Sequence, residues 1–282
     1  MLYEIFDHMH LSSDEAVREM LPLVSEQRRQ QALRYQHTFG QFCCLKSYLM
    51  LLELLAAVYP ELDKAKPEFG YTEKGKPFLL DRPDIHFSIS HTKNAILVAI
   101  ADAPIGVDIE AFRSPSAALI ARTMNPTEQA AIAASAATAA TAATLEPPGT
   151  ASGLLEPPGT AYGPGTPSGL LEPSGTVYGP ETPSGLLKPP GTASGLLEPY
   201  GTASGPGTPS GLLEPPGTPE ALFSAIWTRK EAVLKLRGTG IEGDLREVLS
   251  GSETILTRIF PLKGYAFSIA QQAISPFESF PC

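Results

Sequence analysis

The chain has 282 residues and a formal charge of −9, which allows one large domain or two small ones and argues against general nucleic-acid binding. Its cysteines are Cys43, Cys44 and Cys282; they make neither a disulfide framework nor a self-contained tetrahedral metal site, and they fit a reducing, cytoplasmic setting. Residues 144–219 hold 17 of the 28 prolines and 16 of the 25 glycines, so any hydrophobic core must come from the rest of the chain.

The opening MLYEIFDHMH has no basic leader, so no signal peptide is expected. Leu2–Phe6 reads as a short strand. A helix should follow over Ser13–Leu21, with Ser12 or Ser13 as N-cap and Asp14 and Glu15 in the first turn. A longer helical region is expected over Ser25–Tyr59, polar and basic at first (Arg28, Arg29, Arg34) and apolar later. Leu45, Leu49, Leu52 and Ala56 are its predicted buried stripe. The apolar run Tyr48–Tyr59 is broken by Glu53 and is too short to span a bilayer, so no membrane contact is expected.

Gly75-Lys76-Pro77 signals a tight turn. Ile85, Phe87 and Ile89 alternate with His86, Ser88 and Ser90, the pattern of a half-buried strand that ends at His91. Ala95–Ala101 makes a second strand. In Ile105–Glu110 (IGVDIE), Ile105, Val107 and Ile109 share one face and Gly106, Asp108 and Glu110 the other. Two carboxylates one strand period apart, about 6.6 Å along the strand, are costly together unless a cation such as Mg²⁺ sits between them or water solvates a strand end.

Asn125 and Pro126 then start a helix, with Glu128 in its first turn. The block at 144–219 repeats LLEPPGTASG and a longer relative in units of 10 and 16 residues. No unit has the apolar surface for a core, so a disordered insertion is expected. A last helix should run from Pro219 to about Arg237 and stop at Gly238 and Gly240. Thr254–Phe260 and Gly264–Ala270 are strand-like. GYAFSIA echoes IHFSIS, as two related halves would.

Three motifs, in this order, carry a resemblance. FSISH with the GKP turn before it, IGVDIE, and the helix Trp227-x-x-Lys230-Glu231-x-x-x-Lys235 together resemble the Sfp-type 4′-phosphopantetheinyl transferases over about 1–143 and 220–270. The resemblance implies an α+β fold of two pseudo-symmetric subdomains, each a small antiparallel sheet packed with a long helix. Their expected bounds are 1–104 and 105–143 with 220–275, and the repeat at 144–219 interrupts the second. It also implies a Mg²⁺-dependent holo-[acyl-carrier-protein] synthase activity, serving for example fatty acid biosynthesis. In that reaction the phosphopantetheine arm of coenzyme A moves to a serine of an acyl or peptidyl carrier protein and 3′,5′-ADP leaves. Asp108, Glu110 and Glu231 would ligate the metal. Glu231 would also act as base, and Lys235 would stabilise the leaving group. Coenzyme A would be held by Arg28, Arg34, Gly75, Lys76, Pro77, Ser90, His91 and Lys230, with Ser90 facing the nucleotide and His91 on the 3′-phosphate. A monomer is expected. The competing reading from another class is a catalytically silent fold that works as an interaction protein through its proline-rich repeat.

Overall fold

The computed structural model describes residues 1–62, 66–145, 218–241 and 243–273. The predicted insertion therefore lies almost wholly outside the described residues. The described chain is α+β. Its first half runs β1 (Leu2–Phe6), α1 (Asp14–Met20), α2 (Glu26–Leu33), α3 (Thr38–Val58), β2 (Phe69–Tyr71), β3 (Pro77–Leu79), β4 (His86–His91) and β5 (Ile96–Ala101). Its second half runs β6 (Ile105–Ala111), α4 (Ala117–Thr123), α5 (Pro126–Leu145), α6 (Pro219–Arg237), β7 (Thr254–Phe260) and β8 (Tyr265–Gln271).

Two three-stranded antiparallel sheets have the orders β1-β5-β4 and β6-β8-β7, and β2 pairs with β3 in a separate hairpin. In each half the first strand is an edge, helices intervene, and the last strand returns to the middle. The halves are thus topologically equivalent, but β8 corresponds to β5 and not to β4. The echo of GYAFSIA (in β8) and IHFSIS (in β4) therefore does not join equivalent strands.

Alternation along β5 explains how the halves stack. Ile96, Val98 and Ile100 pack with α3 residues such as Leu45, Leu51 and Leu55. Leu97, Ala99 and Ala101 face the other way and pack with Ile105, Val107 and Ile109 of β6 and with Tyr265, Phe267 and Ile269 of β8. On the far side of the second sheet, Ala232, Val233 and Leu236 of α6 meet Ala270 and Ile255. The order of layers is α3, first sheet, second sheet, α6, and apolar burial between layers is the main stabilising term.

The helical region expected over Ser25–Tyr59 is made of two helices. Ser25 caps α2 by accepting the Arg28 amide, and the chain breaks after Leu33 before restarting at Thr38. The predicted stripe on α3 is also too narrow. Leu49 and Leu52 are only half-buried, while Cys43, Cys44, Tyr48, Met50, Leu51, Leu54 and Leu55 are buried. The cause is that α3 is enclosed by α1 and α2 as well as by the sheet. At 21 residues α3 is long and apolar enough to cross a membrane by length and composition alone, yet it is the core helix of the first half.

Candidate active site

The site is built where the edge strand β4 of one sheet runs beside the edge strand β6 of the other. Three hydroxyls bridge that seam. The backbone N–H groups of Val107, Ile109 and Ala111 donate to the side-chain oxygens of Ser88, Ser90 and Thr92, at 3.0, 3.3 and 3.2 Å. Residues two apart on a strand share a face, so Ser88, Ser90 and Thr92 form one row. They satisfy amides that an unpaired edge would leave open.

On β6 the greasy face packs inward and the acids turn to α6, as the alternation of IGVDIE predicts. Gly106 is where the two backbones nearly touch. A Cβ there would lie 2.0 Å from the Ala232 carbonyl oxygen and 2.2 Å from the Leu236 nitrogen. This close approach places Lys235 over Asp108. Its Nζ donates to Asp108 Oδ1 at 2.7 Å and to Ser90 Oγ at 3.0 Å. Ser90 Oγ itself donates to Asp108 Oδ1 at 2.8 Å. Asp108 Oδ2 is buried and has no hydrogen-bond partner.

Glu231 sits one turn before Lys235 on the same face of α6. Burial first, and the Asp108 charge second, raise its pKa above the ordinary carboxylate value, with Lys235 pulling the other way. Glu110 is raised for the same two reasons, against Arg113, Lys235 and Trp227. Three acids thus share one low-dielectric face with Lys235. Among the described residues, however, no three acidic, histidine or cysteine side chains are gathered closely enough to hold an ion as they stand. Asp108, Glu110 and Glu231 do not form a closed cage as they stand, and Lys235 occupies one oxygen of Asp108.

Beside this cluster lies a cavity of about 170 Å³ lined by Arg28, Gln31, Tyr35, Tyr71, Pro77 and His91, among others. Arg28 is only 7% exposed, with its guanidinium 4.5 Å from the Phe69 ring centroid and 5.0 Å from that of Tyr48. Among the described residues it has no carboxylate partner, which leaves its charge for an anion in the cavity. His91 follows Ser90 and lines the cavity while Ser90 turns to Asp108. His91 keeps an open surface within a concavity, and the surrounding protein and then Lys235 lower its pKa.

Several predicted ligands lie elsewhere or serve the fold. Ser90 is buried and its hydroxyl is bonded to Asp108, Lys235 and the Ile109 amide. Arg34 is exposed at the end of α2 and is not among the residues that line the cavity. Lys76 donates to the carbonyl oxygens of Leu236, at 3.0 Å, and Ile105, at 3.4 Å, so its ammonium ties the turn to the end of α6. Gly75, at φ +81°, forms the turn before it.

Lys230 is the clearest correction. Its side chain is fully buried and pairs with Glu128 at 2.7 Å, with a second bond to the Leu245 carbonyl oxygen. Glu128 also accepts the Asn125 amide, closing a reciprocal cap with Asn125 at the start of α5. Consecutive helix residues point about 100° apart, so Lys230 and Glu231 serve different neighbours. Lys230→Met is expected to cost about 3–5 kcal/mol, the usual penalty for stranding one partner of a buried pair. Chemical denaturation would measure the loss. A stable Lys230→Met protein with weakened coenzyme A binding would contradict this assignment.

No family model matches the chain. Three relatives do. A 4′-phosphopantetheinyl transferase of Bacillus subtilis is 33% identical over 127 residues, 45% of this chain and 56% of the relative. The 4′-phosphopantetheinyl transferase Sfp of B. subtilis strain 168 is 32% identical over the same length and shares. The 4′-phosphopantetheinyl transferase gsp of Aneurinibacillus migulanus is 33% identical over 87 residues, 31% of this chain and 35% of the relative. The chain spans about half the length of the first two. Over that shared stretch the chain is similar to the Sfp-type 4′-phosphopantetheinyl transferases.

Proposed function

We propose that this chain moves the 4′-phosphopantetheine arm of coenzyme A onto a serine of an apo acyl or peptidyl carrier protein, with release of 3′,5′-ADP. The observation that carries the reading is the cluster of Asp108, Glu110, Glu231 and Lys235 at the seam of the two halves, next to a cavity lined by Arg28, which has no carboxylate partner among the described residues. Arg28 and His91 would hold the phosphates of the nucleotide, and the backbone of the Gly75–Pro77 turn would pack beside them. Glu231, more basic than an ordinary carboxylate, would accept the proton of the attacking serine hydroxyl. As the bond between the β-phosphorus and the bridging oxygen breaks, Lys235 would stabilise charge on the departing oxygen.

We further propose that the acids take a divalent cation by drawing closer around it. Among the described residues Asp108 has a buried oxygen without a partner, and burial and then the Asp108 charge raise the pKa of both Glu110 and Glu231. Asp108, Glu110 and Glu231 would hold Mg²⁺, which when bound neutralises pyrophosphate charge. This gives a pH-dependent stability. The folded pKa values of Glu110 and Glu231 lie above their unfolded values, so the stability these groups add below the unfolded pKa is lost as pH rises through the folded pKa. At neutral pH the cost persists, and a bound cation offsets it. Millimolar Mg²⁺ is therefore expected to raise Tm by a few degrees at pH 7.5 and much less at about pH 4, where Glu110 and Glu231, held above the ordinary carboxylate value, are mostly protonated. An equal gain in a Glu110→Gln/Glu231→Gln protein would place the ion elsewhere.

The deciding experiment is intact-mass analysis of an apo carrier protein incubated with the chain, coenzyme A and Mg²⁺. A gain of one phosphopantetheine supports the proposal. No gain across acyl and peptidyl carriers defeats it.

A further inference from the structure

We infer that Ser90 is a positioning residue for the reaction proposed above: its hydroxyl holds Asp108 and Lys235 in register across the seam between the halves. The inference rests on that functional reading, but the geometry behind it is separate. Ser90 Oγ takes part in three hydrogen bonds, and all of them cross from the first half to the second. It donates to Asp108 Oδ1 at 2.8 Å, and accepts from Lys235 Nζ at 3.0 Å and from the Ile109 amide at 3.3 Å. A hydroxyl has one donor and two acceptor sites, so Ser90 is saturated by these contacts and has nothing left for a ligand.

Each bond constrains something different. The Ile109 amide fixes where β4 lies along β6. The Asp108 bond fixes one carboxylate oxygen, leaving the buried Oδ2 as the one without a partner. The Lys235 bond ties the same atom to α6. A strand, a carboxylate and a helix cation thus converge on one oxygen. Long side chains such as lysine lose much rotamer freedom when ordered, and two fixed acceptors 2.7 and 3.0 Å away supply that order before substrate arrives.

The protein contains its own control. Ser88 lies two residues earlier on the same face of β4 and makes the same kind of bond, accepting the Val107 amide at 3.0 Å. It is buried as Ser90 is. It touches neither Asp108 nor Lys235 in any hydrogen bond among the described residues. Removing the Ser88 hydroxyl therefore reports the cost of one tie across the seam, and removing that of Ser90 reports the tie plus the loss of positioning.

The experiment compares Ser88→Ala and Ser90→Ala in the full chain, measuring Tm, and kcat and KM for coenzyme A with a carrier protein that the unmodified chain accepts. Both variants are expected to lose a few degrees in Tm. Ser90→Ala is expected to lose about 30- to 100-fold in kcat, with KM for coenzyme A changed by less than about threefold, because misplacement acts on the chemical step. Ser88→Ala is expected to stay within about threefold in both. A raised KM with unchanged kcat in Ser90→Ala would show direct contact with coenzyme A and overturn the inference. Equal kcat losses in the two variants would reduce Ser90 to a structural tie and overturn it as well. A thermal cycle gives a readout free of turnover. The Tm losses of Ser90→Ala and Lys235→Met should be non-additive in the double variant, whereas those of Ser88→Ala and Lys235→Met should add. If the unmodified chain transfers nothing, the functional reading has failed, and this cycle alone decides whether Ser90 holds Lys235; additivity there overturns it.

Discussion

Glu231→Gln is expected to lower transfer by about a thousandfold, within the range for loss of a general base, while leaving the protein folded and at least as stable. The amide keeps the size of the side chain and removes only its basicity and charge. Burial and the Asp108 carboxylate raise the pKa of Glu231, so its ionised form is held at some cost to the folded state. A large loss of kcat with an equal or higher Tm is what separates a functional acid from a structural one. KM for coenzyme A should change little, since Arg28 and His91 line the neighbouring cavity. Steady-state kinetics and thermal melts on one preparation measure both. Turnover near that of the unmodified chain would remove Glu231 from the mechanism.

Much of this site was legible in the chain because strand and helix periods are rigid rules. The alternation in IGVDIE put Asp108 and Glu110 on one face, and the spacing of four put Glu231 and Lys235 on one side of α6. Both hold in the structure. The partner of Lys230 was not legible, because adjacency in a motif does not report adjacency in space. Its nearest partner, Glu128, is about a hundred residues away in sequence, and only the folded chain shows that the start of α5 comes to rest beside α6. The partners of Ser90 were hidden for a related reason. Its spacing from Ser88 and Thr92 was visible, but nothing local says that an edge strand of one sheet will lie beside an edge strand of another. The break between α2 and α3 and the wide burial of α3 likewise depend on helices that enclose it, and helical periodicity reports one face at a time.

Gly106→Ala is expected to be the most damaging single-methyl change in the motif. A Cβ at this position would stand 2.0 Å from the Ala232 carbonyl oxygen, 2.2 Å from the Leu236 nitrogen and 2.8 Å from its Cα. These are backbone atoms of one helix, so no rotamer change can make room, and α6 must lift by roughly an ångström or more to reach ordinary van der Waals contact. Overpacking of this kind costs about 1–3 kcal/mol or more. The catalytic loss should exceed what stability alone predicts, because α6 carries Glu231 and Lys235, and a misplacement of about 1 Å can cost 100-fold. Gly240→Ala is the comparison. Gly240 has φ +69° and nothing within 4 Å of the added carbon, so that variant bears backbone strain of about 1 kcal/mol without moving a helix. Assayed well below both melting temperatures, Gly240→Ala should turn over near the rate of the unmodified chain, while Gly106→Ala should fall by about 100-fold or more. If the two variants behaved alike, the close contact of β6 and α6 would not be what aligns the acids with the lysine. The small residue in IGVDIE is thus part of the chemistry without touching a substrate: it sets how near the strand that carries Asp108 comes to the helix that carries its partners.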